Sequence, residues 1–349
     1  MKVLINTPRL IPHGGVANHY IGLKEYWTET ILYNPIGKKG NKSGMGKYRL
    51  PIDIVNFVSK IMTFKPDIIV LNPSLLKSAV VRDQIFLRIA KLLKKKVAVF
   101  FHGFDINGKN HINISQLVKN LNRCECVFVL AEQFANILKE WGVVVPIYLT
   151  TTKVDDKLVE SFNINEKTGK VTQLLFLARI TETKGIFIAL RTFKKLLEQH
   201  DEIHLTVVGD GPALNAAKQF CKDENIYQVD FKGVLHGEDI IEEYKKSDLY
   251  LFPTYHSEGM PTSVLEAMAF GLPIISRPVG GLCDFFESHK MGELIDSLNP
   301  DDYLTAISSY IKDEEKTLAT ARYNHFYAKE NFMASKVAVS IEKILKQYI

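Results

Sequence analysis

Two carboxylates eight positions apart mark the stretch "YHSEGMPTSVLEAMAFGLPII", residues 255–275. Glu258 lies in a loop ahead of Pro261, and Glu266 lies inside a short helix that ends before Gly271 and Pro273. At 100° per residue, Val264, Leu265 and Met268 fall on one helix face, and Glu266 falls nearly opposite with Thr262 and Ser263. That face offers a carboxylate and two hydroxyls to whatever lies across from it. Two plainer readings compete. Ser263-Val264-Leu265-Glu266 fits a Ser-x-x-Glu capping box, and Glu258 could be a solvated loop residue.

Cations stand upstream. In "LLFLARITETKGIFIAL", Arg179 follows a strand and Lys184 precedes or opens the next helix. A cation at a helix amino terminus opposes the helix dipole, at about 0.3–1 kcal/mol, unless an anion is close. A diphosphate would remove that conflict and give Arg179 charge-assisted hydrogen bonds. Lys184 beside Glu182 could instead swing into solvent. Two glycine loops add to the picture. Gly14-Gly15 stands before a helix starting near Val16, where main-chain amides could approach an anion. Gly209 and Gly211 in "VVGDGPAL" open a second strand-to-helix turn, with Pro212 suited to a first helical turn. Leu214 stands where a dinucleotide fingerprint would need a third glycine, so this loop reads as structural and a nicotinamide dehydrogenase is disfavoured. His102 follows the strand "VAVFF", with Asp105 three residues on as a candidate orienting partner.

The elements needed to hold these residues are legible in the apolar runs. Strands are expected near 2–6, 67–71, 97–101 and 127–130, with helical periodicity at 52–64 and 80–93 between them. The alternation breaks at 150–170 and resumes with strands near 171–178, 203–208, 229–231, 249–252 and 273–276. The fold class expected is α/β: two doubly wound Rossmann-like domains facing across a cleft, with ligands at the carboxyl ends of both sheets. The expected boundaries are 1–150, a linker at 151–170, and 171–332. Val337, Ala338, Ile341, Ile344 and Leu345 give the segment 333–349 a helical apolar face that could pack back on the first domain.

Composition narrows the class. A chain of 349 residues exceeds one comfortable core. The net charge of +5 divides into +12 for residues 1–150 and −7 for the rest. A basic first half suits acidic lipid headgroups, a phosphorylated acceptor or nucleic acid, unless it is merely a solvated lysine surface. Cys124, Cys126, Cys221 and Cys283 form neither a zinc pattern nor a disulfide framework, which fits a reducing cytosol. MKVLIN reads as a strand rather than a signal peptide, and no apolar run is long enough to span a bilayer.

Glu258-x7-Glu266 within "EGMPTSVLEAMAFGLPIISRPVGG", together with Arg179, Lys184, "VVGDGP", "SDLYLFPTYHSEGMP" and the Gly14-Gly15 loop, resembles the family-4 retaining glycosyltransferases of GT-B fold. The resemblance is densest from Thr172 to Gly281. It implies that Glu266 binds the ribose hydroxyls of a nucleotide sugar. Glu258 would contact the transferred sugar, helped by the Gly259 and Met260 amides. Arg179 and Lys184 would hold the diphosphate, Thr262 and Ser263 would assist, and Gly14-Gly15 would close on the donor. His102 would lie near the donor sugar. Arg179, Lys184, Glu258 and His102 are thus the catalytic candidates. No Asp-x-Asp follows a strand end, so metal independence is expected, with no cofactor beyond the co-substrate.

The function implied is transfer of a hexose-type sugar from a nucleoside diphosphate to a hydroxyl of a glycan or lipid-linked acceptor, in polysaccharide or glycolipid biosynthesis. The setting expected is cytoplasmic, with peripheral contact on an anionic membrane and no nucleic acid. Two alternatives share the shape: a nucleotide-sugar 2-epimerase, and a non-catalytic nucleotide-sugar-binding subunit.

Overall fold

The computed structural model describes residues 1–11, 14–37, 46–73, 77–103 and 112–349. Two compact units emerge from it. The first comprises Met1–Lys153, Ser257–Met260 and Ala334–Ile349, and the second comprises Val154–His256 and Pro261–Met333.

In the first unit, strands and helices alternate: β1 (Lys2–Pro8), α1 (Gly15–Leu23), β2 (Thr30–Ile36), α2 (Gly46–Phe64), β3 (Ile68–Leu71) and α3 (Lys77–Leu92). They continue as β4 (Lys96–Phe101), α4 (Ile114–Leu121), β5 (Cys126–Val129), α5 (Glu132–Glu140) and β6 (Ile147–Leu149). The six strands form one parallel sheet of order β2-β1-β3-β4-β5-β6. Strand order reverses at β1 and β3, so the crevice where such a sheet binds ligands lies past the ends of these two strands. Side chains alternate between two cores. Val97, Val99 and Phe101 of β4 enter one, while Ala98 and Phe100 enter the other. The second core is shared with the last helix of the chain.

The second unit runs β7 (Gln173–Leu177), α6 (Ile186–Leu197), β8 (His204–Val208), α7 (Leu214–Asp223), β9 (Val229–Gly233) and α8 (Glu238–Lys246). Then follow β10 (Leu249–Phe252), α9 (Thr262–Ala269), β11 (Ile274–Ser276), α10 (Leu282–Phe285), β12 (Gly292–Leu294), α11 (Pro300–Ile311) and α12 (Glu314–Asn331). Its parallel sheet has the order β12-β11-β10-β7-β8-β9, with the reversal at β7 and β10. The architecture is α/β, two doubly wound parallel sheets of six strands each.

The stretch read as a linker is built into the second unit from Val154 onward. It carries short 3-10 turns at Asp156–Val159 and Ile164–Glu166, and the buried Ile164 side chain reaches Gly271. Lys167 donates from Nζ to the main-chain oxygens of Lys245 (2.9 Å) and Ser247, closing the carboxyl end of α8. Burial lowers the Lys167 pKa to about 8. Polar composition suggested a free connection, but the amine is used to satisfy main-chain carbonyls.

The final helix, α13 (Ala334–Lys346), places Ala334, Val337, Ala338, Ile341 and Leu345 in the second core of the first unit. Glu342 on the same helix is 2% exposed. Its carboxylate accepts from the amides of Thr28 and Glu29, both at 2.9 Å, and from the Thr28 hydroxyl at 2.5 Å. Hydrogen bonds to a charged acceptor contribute about 1.5–3 kcal/mol, and donors left without a partner lose more. Glu342→Ala is expected to lower the stability of the first unit by about 2–4 kcal/mol, read as an earlier urea transition of fluorescence from Trp27 and Trp141. An unchanged midpoint would remove α13 from the account of that unit's stability.

Candidate active site

The residues singled out for chemistry lie past the carboxyl ends of the two sheets. In the second unit they gather at the reversal point. Arg179 sits two residues beyond β7 and is exposed. The main chain on either side of it is pinned to the end of β8 and the loop after it: Ala178 N donates to Val208 O at 3.1 Å, and Ile180 N donates to Asp210 O at 3.0 Å. This approach requires the two glycines of "VVGDGP". A Cβ on Gly209 would lie 1.9 Å from Ala178 O, at a φ of +134°, and one on Gly211 would lie 2.3 Å from Ile180 O. The loop read as structural is structural in this sense: it holds the Arg179 backbone. Pro212 falls in the turn before α7 rather than in its first helical turn. Among the described residues, Arg179 shows no ion pair or hydrogen bond through its side chain.

Lys184 ends a 3-10 turn, Glu182–Lys184, and α6 begins two residues later. Its Nζ lies 5.6 Å from the centroid of the Phe252 ring. Gly185 follows in the left-handed region with φ +84°, and a Cβ there would meet Pro253 O at 2.2 Å. Thr183 O accepts from the amides of Tyr255 (2.9 Å) and His256 (3.0 Å). The cationic loop after β7 is thereby tied to the loop after β10.

Helix α9 has the faces read from its sequence. Val264, Leu265 and Met268 are fully buried, while Thr262, Ser263 and Glu266 are half-buried. The capping-box reading fails, because the helix is capped at Pro261 without a side-chain hydrogen bond. Glu266 Oε2 instead accepts from Tyr244 Oη at 2.9 Å. Tyr244 is wholly buried and stacks on Phe270 at 5.0 Å. Burial, then the Glu266 charge, pushes its pKa well up, so the phenol stays a neutral donor that fixes the carboxylate.

Ser263 differs from expectation in how it could serve an anion. Tyr250 Oη lies 2.8 Å from Leu177 O and 2.7 Å from Ser263 Oγ. A carbonyl can only accept, so the phenol proton goes to Leu177 O and Ser263 Oγ donates to the phenol oxygen. The hydroxyl proton of Ser263 is committed, and the main-chain amides of the first turn of α9 are what the helix end offers.

The remaining candidates belong to the first unit. The segment Ser257–Met260 groups there, with Met260 packed against its second core. A Cβ on Gly259 would lie 2.4 Å from His102 O, so glycine is needed for this approach. Glu258 is half-buried beside it. Gly14 has φ +94° and caps α1, and among the described residues no atom lies within 4 Å of a Cβ built on Gly14 or Gly15. His102 leaves β4 half-buried. It stacks on Phe100 at 3.8 Å, meets His19 edge-on at 4.9 Å, and has Nε2 2.9 Å from Asn72 Oδ1. Burial lowers the His102 pKa to about 3. His19 is lowered as well, by burial and then by His102 and Lys153. Asp105, considered as its partner, lies outside the described residues.

Sequence reasoning missed Tyr244, Tyr250, Tyr20 and Asn72. Each acts through another side chain from a separate element, and none stands at a spacing that announces it.

Residues 159–325 match the family model described as glycosyl transferases group 1. Amylovoran biosynthesis glycosyltransferase AmsK of Erwinia amylovora is 27% identical over 221 residues, covering 60% of this chain and 53% of the relative. The chain spans about half the length of the curated relatives it matches. Among solved structures, Anabaena HepE in complex with UDP superposes with a TM-score of 0.76 at 16% identity, over 99% of this chain and 100% of that one. Sucrose-phosphate synthase from Thermosynechococcus elongatus gives 0.75 at 15% identity, covering 99% and 98%.

Steric contrasts between glycines provide a direct test. Gly209→Ala is expected to destabilise the second unit by at least about 3 kcal/mol, because main chain must move and φ is positive. Gly15→Ala, where no described atom stands near the added Cβ, is expected to leave stability unchanged or raise it by about 0.5 kcal/mol. Equal denaturation midpoints for the two variants would contradict the packing described. The fold and the matched region agree: the chain has the GT-B fold, and its residues 159–325 match the model of the glycosyl transferases group 1.

Proposed function

We propose that the protein is a retaining glycosyltransferase, of the family-4 kind, that moves a hexose-type sugar from a nucleoside diphosphate to a hydroxyl of a glycan or lipid-linked acceptor. The observation that carries this reading is Arg179: an exposed guanidinium with its backbone pinned on both sides, at the reversal point of a parallel sheet, near Lys184 and the uncapped end of α9. Holding a cation ready without an acidic partner among the described residues suits a ligand that brings its own negative charge.

In this reading Arg179, Lys184 and the Thr262 and Ser263 amides receive the diphosphate. Glu266, fixed by Tyr244, receives the ribose hydroxyls. Glu258, Gly259, Met260 and His102 address the transferred sugar, and the Gly14-Gly15 loop lends its amides. As the anomeric bond breaks, negative charge gathers on the departing phosphate, where placed cations and amides stabilise it without reorganising. The leaving phosphate then takes the proton of the attacking hydroxyl on the same face, which retains configuration. Two side-chain cations do the neutralising, so the mechanism is written without a metal ion or other cofactor. UDP-sugars are the first donors to test, given that HepE was solved with UDP and with UDP-glucose. Synthesis of a surface polysaccharide is the setting favoured by the likeness to AmsK.

Peripheral contact with an anionic membrane at its cytoplasmic face is part of this proposal. No described helix is long and apolar enough to cross a membrane. On α2, Ile52, Val55 and Met62 are 59, 66 and 61% exposed on one helix face, within a first half of net charge +12.

A panel of nucleoside diphosphate sugars screened by thermal shift is expected to yield one that raises the melting temperature, with about 2.7 kcal/mol of added stability at a hundredfold excess over Kd. With that donor, Arg179→Ala and Lys184→Ala are each expected to lower kcat about 100-fold while folding is retained. Unchanged turnover in both variants would reject the phosphate assignment. Ile52→Glu with Val55→Glu is expected to abolish sedimentation with phosphatidylglycerol vesicles, and undiminished sedimentation would exclude α2 from membrane contact.

A further inference from the structure

Toward the carboxyl ends of β1, β2 and β3 three asparagines are joined by hydrogen bonds, one between side chains and one to main chain. Asn34 Nδ2 donates to Asn6 Oδ1 at 2.7 Å, and Asn72 Nδ2 donates to the main-chain oxygen of Asn6 at 3.0 Å. Asn6 and Asn34 are direct partners in the sheet register, and Asn72 follows Leu71, the partner of Asn6 on the other side. All three asparagines are at least nine-tenths buried.

The Asn6 carbonyl decides which way Asn72 points. A carbonyl oxygen can only accept, so the amide nitrogen of Asn72 must face it and Oδ1 must face the other way. There Oδ1 meets Tyr20 Oη at 2.8 Å and His102 Nε2 at 2.9 Å. An amide oxygen has two lone pairs and no proton, so both neighbours must donate. The imidazole therefore carries its proton on Nε2. The stack on Phe100 and the edge contacts with His19 and Tyr20 hold the ring in this plane.

We infer that Asn72 is a positioning residue that locks His102 in the Nε2–H tautomer, leaving Nδ1 as a fixed lone pair that accepts a hydrogen bond from a hydroxyl of the transferred sugar. The order of dependence runs from main chain to chemistry: the Asn6 carbonyl orients Asn72, Asn72 sets the proton on His102, and His102 presents an acceptor. A ring free to exchange tautomers would present an N–H donor at the same position part of the time. Such a donor would meet a sugar oxygen equally well, and the preference for one hydroxyl orientation would be lost. The role given to Nδ1 rests on the transferase reading, whereas the tautomer itself does not.

Long-range nitrogen–proton NMR of histidine-labelled protein tests the lock directly, with the His102 signals assigned by their loss in His102→Gln. The expected wild-type spectrum shows a protonated Nε2 and a bare Nδ1 at neutral pH. In Asn72→Ala the two tautomers should mix. In Asn72→Asp a carboxylate beside Nε2 should raise the His102 pKa toward the ordinary imidazole range. With UDP-glucose, or another nucleoside diphosphate sugar if that one is turned over instead, Asn72→Ala should lose about tenfold in kcat/KM. A wild-type ring protonated on Nδ1 overturns the proposal, and that measurement needs no variant to fold. An Asn72→Ala spectrum identical to wild type also overturns it. If the wild-type protein turns over no nucleoside diphosphate sugar, the role of Nδ1 falls with the transferase reading, and the tautomer is judged on the spectra alone.

Discussion

A parallel sheet covered on both faces leaves its two ends as the places for polar chemistry, and both units obey that constraint. Apolar side chains fill the faces of β4 and β7 almost without interruption. Four buried polar residues of the first unit lie toward the carboxyl ends of its strands: Asn6 and Thr7 on β1, Asn34 on β2, and Asn72 just past β3. A carbonyl or amide at such an end needs a partner, and a ligand or a neighbouring loop can supply it.

In the second unit the loops at that end are bonded to one another. The loops after β7 and β8 are joined through Arg179's flanking residues, and the loops after β7 and β10 are joined through Thr183. Glycines at 185, 209 and 211 permit main chains to approach where any side chain would collide. Tyr244 and Tyr250 complete the set from below, one fixing Glu266 and the other occupying the hydroxyl of Ser263. Charged side chains on a bonded framework lose little freedom on meeting an anion, which is the advantage of preorganisation.

Much of this was legible in the chain. Buried central strands read as continuous apolar runs, and the faces of α9 followed from periodicity alone. The strands not foreseen, β2, β6 and β12, are all at sheet edges. β2 contains Pro35, tolerable on an edge strand but contrary to the pattern of a central one. β6 and β12 have three residues each, too short to register as a run. The charged and glycine positions of the candidate site were named from sequence through the whole string and its family resemblance, since plainer readings competed at each residue taken alone. Asn72, Tyr20 and Tyr244 could not, since an ordinary asparagine or tyrosine gains its role from a neighbour dozens of residues away. Ser263 illustrates the converse: the residue was visible, but the bond that consumes its proton was not.

The last helix of the sequence completes the first unit, and Glu342 meets Thr28 across 314 positions of chain. A ribosome delivers residues in order, so the apolar flank later covered by α13 stays bare while nearly two hundred further residues are made. During synthesis the second unit has all its strands before the first has its cover. Folding of the amino-terminal half is therefore postponed by topology, and the nascent chain carries a sticky surface that holding chaperones would recognise.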